Sequence, residues 1–481
     1  MRVLEALRAI RPRIAIIADH EGLKPFETDA LIAHRETPML AVLPESEGHV
    51  QAIVKACRKL GVPVVTRGAG TGISGGAIPR RDGVLLVVSK MNRFVEVDPL
   101  GRTATVEPGV RNLQVSESVA ANGLFYAPDP SSQSVCSIGG NVAENSGGVH
   151  CLKYGLTTHN LLAVRAIDSD GDVIACGSRA LDAPGFDLLA LITGSEGNLG
   201  VITQATVRLV PLPERTETLL AGFATVREAA EAVGEIIGAG IVPAALEMMD
   251  RVVIEACERC MQLGLPRDAE ALLLAEVDGG ENEAREALAQ VKAILERCGA
   301  TEVRVAADDA ERQRLWKSRK GAFTALAMIL PDYYAIDGTI PRRCLPEVLD
   351  YVRELAAQYG LTVGNVFHAG DGNIHPCIFY DANRPGELER AEELGGRILE
   401  RCIEVGGTIT GEHGVGIEKL RQMCVQFRAP EIAAFHDVKR AFDPDSILNP
   451  GKAVPSLKRC AEWGGTHVHG GRVPRPEIPR F

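Results

Sequence analysis

The sequence predicts an α+β protein in which a glycine-rich, strand-led half precedes a half where helices cover a sheet. Three observations carry that expectation. From residue 39 the apolar pattern runs strand, helix, strand over 40–43, 46–60 and 62–66. Glycine supplies 50 of 481 residues and falls in short clusters rather than evenly, against a usual share of ~7%. After Pro211, Leu212 and Pro213 the texture changes, and Ala-, Glu- and Leu-rich helical patterns alternate with short strands at 272–277 and 301–305. The expected organisation is an N-terminal helical segment (1–37), a glycine-rich domain (38–213), a second α+β domain (214–415) and a C-terminal segment with a tail (416–481).

Composition narrows the function. Hydrophobic residues make up 46% and charged residues 24%, the balance of a soluble globular protein. Net charge is −11, from 52 Lys+Arg and 63 Asp+Glu. No basic run interleaves with aromatic residues, which argues against a nucleic-acid binder and a polybasic membrane anchor. The longest apolar stretches, such as 14–18, are too short to span a bilayer or to form a signal segment. The expected location is cytoplasmic, with any docking at the inner membrane made through a partner. Twelve cysteines are spaced irregularly; Cys257 and Cys260 have C-x-x-C spacing but lie in a helical pattern with no second pair. A zinc ribbon or iron–sulfur site needs four placed thiolates, so these cysteines read as reduced and the chain lacks a metal–sulfur wire.

The first glycine run, Arg67 to Gly76, places Gly68, Ala69, Gly70, Thr71 and Gly72 directly after a strand. Freed backbone amides in such a loop suit a pyrophosphate. It is neither a Walker A loop nor a dinucleotide fingerprint, since β-structure rather than a helix follows. A second polar stretch runs from Pro128 and Asp129 through Ser137, Gly139, Gly140 and Asn141 to Asn145, Gly147 and Gly148, then Lys153 to Gly155. A third, with Glu196, Gly197, Gly200, Val201 and Ile202, makes a close-approach turn before a strand. Three such segments in one domain suit a large, flat, phosphate-bearing cofactor lying along the backbone.

The chemistry concentrates further on. Between residues 366 and 376, His368 and His375 flank a turn at Asp371 and Gly372 that can bring them side by side. Glu412 and His413 offer a carboxylate and a third imidazole between Gly411 and Gly414. Two histidines and a glutamate form a recurrent catalytic zinc set that leaves a position for substrate.

Taken in order, R-G-A-G-T-G, P-D-P, S-I-G-G-N with N-S-G-G, and G-S-E-G-x-L-G-V-I resemble the FAD-linked D-2-hydroxyacid dehydrogenase family, whose FAD domain is of the vanillyl-alcohol oxidase type. The resemblance implies a two-subdomain FAD-binding domain and an α+β cap domain with a helix-covered sheet. It covers residues 38–481 and makes the segments above the FAD cradle. Some family members attach FAD covalently in the first loop; Gly70 and Thr71 stand there, which implies noncovalent FAD. H-A-G-D-G-N-I-H and G-E-H-G resemble the family's metal and base motifs. They imply His368, His375 and Glu412 as ligands of a divalent metal, zinc by first choice, His413 as general base and Asn373 as an ordering residue. The stretch from Trp316 to Lys320 resembles the family's W-x-x-R segment, implying Arg319 as the clamp on a substrate carboxylate, and Asn449 is implied near the flavin ring.

The implied reaction is oxidation of a 2-hydroxy acid to the 2-oxo acid. In the hydroxyglutarate enzymes a lysine in the strand before the L-x-L-P-type motif holds a second carboxylate; residues 333–341 contain none, which implies a small monocarboxylate, glycolate or D-lactate. The tail, with His467 and His469, is similar to the C-terminus of the D subunits of bacterial glycolate oxidases. That branch of the family implies a second FAD-binding subunit and an iron–sulfur subunit as partners, or a quinone as acceptor. The alternatives are a stand-alone D-lactate dehydrogenase, quinone- or cytochrome-linked, and a catalytically silent FAD-binding accessory subunit, which should lack the Arg319, His368, His375, Glu412 and His413 set.

Overall fold

The computed structural model describes residues 2–180, 185–329 and 331–456. The chain divides into two compact units: Met1–Gly147, Leu156–Pro211 and Glu412–Phe481 form the first, Gly148–Gly155 and Leu212–Gly411 the second. His467 and His469 lie outside the described residues.

The first unit holds two sheets. Strands β1 (Ala15–Ile17), β2 (Leu40–Leu43), β3 (Val64–Arg67) and β4 (Val84–Val87) are ordered β1-β2-β4-β3; β2, β4 and β3 are parallel and β1 is antiparallel to β2. Val64, Val65, Val84, Leu85 and Leu86 are fully buried, the unbroken apolar run expected of parallel strands covered on both faces. The helix Glu47–Leu60 joins β2 to β3. Ser46 caps its start by accepting from the His49 amide, and left-handed Gly61 ends it. It buries Val50, Ile53, Val54 and Cys57, one stripe at helical spacing. Residues 1–37 contain the helices Arg2–Arg8 and His20–Leu23 beside β1.

The second sheet is antiparallel, with β5 (Phe94–Asp98), β6 (Thr103–Val106), β7 (Leu161–Ile167), β8 (Val173–Gly177) and β9 (Val201–Arg208) in the order β5-β6-β9-β7-β8. Its inner face packs Val106, Val164, Ala166, Ala205 and Val207 with Ile138 and Val142 of the helix Ile138–Glu144. After the helix Ala429–Phe442 the chain returns beside β3: the Val64 amide donates to the Ile447 carbonyl, and the Asn449 amide donates to the Val64 carbonyl.

In the second unit β10 (Arg215–Phe223), β11 (Ala245–Asp250), β12 (Ala271–Gly279), β13 (Glu302–Val305), β14 (Asp332–Ala335), β15 (Thr362–Phe367) and β16 (Pro376–Tyr380) form one antiparallel sheet. Their order is β13-β10-β12-β11-β15-β16-β14. The helices Arg251–Met261 and Asp309–Lys320 bring Val253, Ile254, Cys257, Leu315 and Trp316 against Met249, Leu272, Leu274, Val366 and Phe379 of the sheet. Cys257 is buried in that cluster while Cys260 is exposed, and both are free. The excursion Gly148–Gly155 belongs to this unit. The Lys153 ammonium donates to the Asp278 carbonyl at 2.7 Å and the Tyr154 hydroxyl to the Asp278 carboxylate at 2.6 Å. Lys153 and Tyr154, read from sequence as part of the cofactor cradle, are thus engaged by a carboxylate on β12, a stronger partner than a neutral backbone group.

Candidate functional site

In the first unit the loop after β3 alternates packed and open positions. The space a Cβ would need at Gly70 (φ +73°) is filled by the Arg67 guanidinium, whose Nη1 donates to the Thr28 carbonyl at 2.6 Å. A Cβ on Gly68 would overlap the Ser137 hydroxyl, which itself caps the helix Ile138–Glu144 by accepting from the Gly140 amide. A Cβ on Gly72 would meet nothing within 4 Å, and Ala69 is exposed with Thr71 half-buried. The loop therefore leaves its backbone open at Gly72, where freed amides could meet a phosphate.

The remaining candidates of this unit sit in packed turns and helix ends. Gly139 packs on Pro108, where a Cβ would come within 2.5 Å of that ring. The Asn112 amide donates both to the Pro128 carbonyl and to Asn141 Oδ1, each at 3.0 Å, close to buried Asp129. Asn145 (φ 56°) ends the helix and accepts from the Thr158 amide. Gly147 leaves room for Glu412, whose carboxylate would lie 2.5 Å from a Cβ there; Gly148 already belongs to the second unit. Gly197 turns with φ +71°, Gly200 rests on Ala166, and Val201 and Ile202 open β9.

Glu196, also at positive φ (52°), accepts from the Val415 and Gly416 amides at 2.7 and 2.6 Å. Asn449 donates to the Gly76 and Glu196 carbonyls at 3.1 and 2.7 Å, while its Oδ1 is buried without a partner. Lys452 donates to the Gly76 carbonyl at 2.8 Å and to that of Ile78. Burial, only partly offset by Asp29, Glu196 and Glu144, pushes the Lys452 ammonium down to about 8. Burial and neighbouring Glu196 hold the Glu144 carboxyl well above the usual range. Glu412 and His413 begin the return segment, with Glu412 Oε1 3.5 Å from His413 Nε2.

In the second unit, the predicted turn brings the rings of His368 and His375 to 5.2 Å between centroids, with ligand nitrogens within 4.8 Å of each other. Both residues are buried. His368 Nδ1 meets Glu247 Oε1 at 2.8 Å; an ionised carboxylate only accepts, so Nδ1 donates, and a neutral ring would then carry its lone pair on Nε2, the form in which imidazole binds a cation. His375 Nε2 lies 3.6 Å from Asp337 Oδ1. Asp337 also accepts from the Thr410 hydroxyl and the Gly411 amide, fixing the residue that immediately precedes Glu412. Asn373 pairs with Thr339 across a short ribbon, and its Oδ1 is buried without a partner.

Arg319 sits in the last turn of the helix Asp309–Lys320 and is 1% exposed. Its Nε donates to Glu247 Oε2 at 2.6 Å; its Nη2 is buried and unpartnered. Burial pushes the Glu247 carboxyl up, but His368 and Arg319 outweigh it and hold the group below the usual range. A buried guanidinium with an unused donor is costly unless a ligand satisfies it, and a carboxylate matches its fork. Sequence reading missed Glu247 and Asp337. The available signal was a carboxylate inside the fully buried β11 and another in the glycine-flanked stretch after β14.

Residues 212–453 match the model for the C-terminal domain of FAD linked oxidases, and residues 38–177 match an FAD binding domain. The chain belongs to the FAD-linked oxidase family and is an FAD-dependent oxidoreductase. It is 58% identical to the glycolate oxidase subunit GlcD of Escherichia coli K12 over all of this chain and 96% of that one. It is 39% identical to the protein of the same name in Bacillus subtilis, over 90% and 92% of the two chains, and 34% identical to a D-lactate dehydrogenase of Archaeoglobus fulgidus, over 90% and 95%. Among solved structures, p-cresol methylhydroxylase shares the fold with a TM-score of 0.80 at 18% identity, covering 95% of this chain and 96% of that one. This confirms the expected vanillyl-alcohol oxidase-type architecture. Among the described residues no helix is long and apolar enough to cross a membrane.

Proposed function

We propose that the protein oxidises glycolate, and D-lactate as a related substrate, to the 2-oxo acid, acting as the flavoprotein subunit of a larger complex. The observation that carries this reading is the buried Arg319 guanidinium, its Nη2 unpartnered, tied through Glu247 to one of two adjacent buried imidazoles. The relatives with the highest identities quoted above are named glycolate oxidase subunits, which favours glycolate and a multi-subunit setting with an iron–sulfur partner or quinone receiving the electrons. β14 (Asp332–Ala335) carries no cation, and Arg342 already donates to the Gly370 carbonyl at 2.8 Å. A second carboxylate on the substrate would find no clamp there.

In this reading Arg319 binds the substrate carboxylate through its remaining donors, and Asn373 offers its unused acceptor to the site. His368, His375 and Glu412 hold a divalent cation, zinc by first choice; the tautomer set at His368 and the imidazole-carboxylate donor set fit such an ion. His413 takes the hydroxyl proton as the α-hydrogen leaves. When bound, noncovalent FAD supplies the two-electron acceptor and the cation a Lewis acid. The open face of the loop at Ala69, Thr71 and Gly72 receives the cofactor's phosphates, and the unpartnered Asn449 Oδ1 is available to its ring.

The second reading, a stand-alone D-lactate dehydrogenase, draws on the A. fulgidus relative of that name. Anaerobic bleaching of the flavin by glycolate, D-lactate and D-2-hydroxyglutarate, with and without chelator, separates the two. Glycolate should bleach fastest and D-2-hydroxyglutarate slowest; faster bleaching by D-lactate would favour the second reading.

A further inference from the structure

Glu247 is the most unusual residue of the second unit. All six residues of β11, Ala-Leu-Glu-Met-Met-Asp, are buried, and Glu247 is 1% exposed. A carboxylate at such a position is costly to desolvate unless paired and hydrogen-bonded. Strand alternation puts Glu247 on the face of Met249, a member of the core shared with the helix that carries Arg319. Met248 pairs with Phe367 in the ladder, so the next step of the register sets Glu247 beside His368. One carboxylate therefore reaches two functional candidates from different elements: Oε2 to Arg319 Nε at 2.6 Å and Oε1 to His368 Nδ1 at 2.8 Å.

We propose that Glu247 is a positioning residue whose single carboxylate sets both the orientation of the substrate-clamping Arg319 guanidinium and the cation-binding tautomer of His368. The inference rests on the roles assigned to Arg319 and His368 under the proposed function. Pinning Nε holds the guanidinium plane, so that Nη2, buried and otherwise unpartnered, has a fixed direction in which to meet a carboxylate. Accepting from Nδ1 keeps the His368 lone pair on Nε2. Only a group that accepts at both oxygens does both. A glutamine offers one acceptor and one donor. With its oxygen toward Arg319, its NH2 faces His368 Nδ1, which must then accept, and the ring proton moves to Nε2. With the amide reversed, two donors confront each other at Arg319.

The test compares wild type, Glu247→Gln and Glu247→Asp in the full-length, FAD-loaded protein. Zinc affinity is read by titration, imidazole tautomers by 15N-detected NMR, and KM and kcat on glycolate. Glu247→Gln should bind zinc about 10- to 100-fold more weakly, the range for loss of a residue that orients a metal-binding histidine. One buried imidazole should move its proton from Nδ1 to Nε2, while flavin absorbance stays constant. If Glu247→Gln does not fold, Glu247→Asp carries the test: its carboxylate retracts by about 1.5 Å, one C–C bond, so zinc affinity should fall or KM should rise with kcat less affected. Wild-type zinc affinity and KM in a folded variant would overturn the inference, provided His368→Ala lowers zinc affinity and Arg319→Lys raises KM. If those two controls also behave as wild type, the functional reading falls and the inference with it.

Discussion

The indole N–H of Trp316 donates to the buried carboxylate of Glu276 at 2.5 Å, one helical turn before Arg319 on the same helix. Glu276 also accepts from the Thr218 hydroxyl at 2.6 Å and lies 3.4 Å from His150 Nε2. Burial pushes this carboxyl up, but His150, Thr218 and Trp316 outweigh burial and hold it at about 2, against an ordinary 4.5. A carboxyl depressed in the folded state stabilises the protein above its unfolded value; that contribution is lost as pH falls from about 4.5 toward 2. Glu276→Gln should therefore lower the unfolding free energy at pH 7 by about 3–4 kcal/mol, one pKa unit corresponding to about 1.4 kcal/mol. The gap from wild type should narrow as pH drops through 4. Denaturant midpoints at pH 7 and pH 4 measure it, and coincident midpoints at pH 7 would reject the assignment.

Arg319→Lys keeps the charge but loses the planar fork and the Nε contact to Glu247. Loss of a charged hydrogen bond worth about 1.5–3 kcal/mol should raise KM for glycolate roughly 10- to 150-fold. Flavin content, read by visible absorbance, should not change. An unaltered KM would remove Arg319 as the carboxylate clamp. Lysine is the more informative replacement than alanine, which would leave Glu247 as an unbalanced buried charge and confuse binding with stability.

What could be read from the sequence divides along physical lines. Strands and helices with a clean period were legible nearly to their ends: the stripe Val50, Ile53, Val54 and Cys57 marks one helix, and Ser46, assigned to it, is its cap. The turn joining His368 to His375 was legible because Asp371 and Gly372 are turn chemistry, and it does bring the two rings side by side, edge to face. Glu247 was not, because its partners are 72 and 121 residues away and no local pattern records such a pairing. The partner of Lys153 and Tyr154 was not legible for the same reason: both bond Asp278, more than a hundred residues further on. Local chemistry names candidates, and only the register of the sheet says which carboxylate meets which cation.

Gly416 offers a test of why the return segment is rich in glycine. Its φ is +51°, and a Cβ would overlap the backbone of Ser74, which accepts from the Ile417 amide at 3.0 Å. Gly406 is equally left-handed at φ +87°, but a Cβ there would meet nothing within 4 Å. Gly406→Ala should cost only backbone strain, about 1 kcal/mol, and Gly416→Ala should exceed the roughly 1–3 kcal/mol of strain alone, with weakened FAD retention on gel filtration. Equal thermal stability of the two variants would show that the approach to Ser74 relaxes without cost.

The proposed division of labour between base and cation predicts two separable losses. His413→Ala removes a proton acceptor without touching the loop at Ala69 to Gly72, so FAD should remain bound. Reduction by glycolate should slow by about 10²- to 10⁴-fold, the usual worth of a positioned general base. Chelation should slow the same step in wild type, because the hydroxyl loses its Lewis acid, and added zinc should restore it. Chelation should have a much smaller further effect in His413→Ala, since easing the hydroxyl's proton helps only where a base can take it. Stopped-flow flavin reduction in the four combinations measures this coupling. Fully multiplicative effects would mean that the cation and His413 act on different steps, and bleaching at the wild-type rate in His413→Ala would remove that residue as the base.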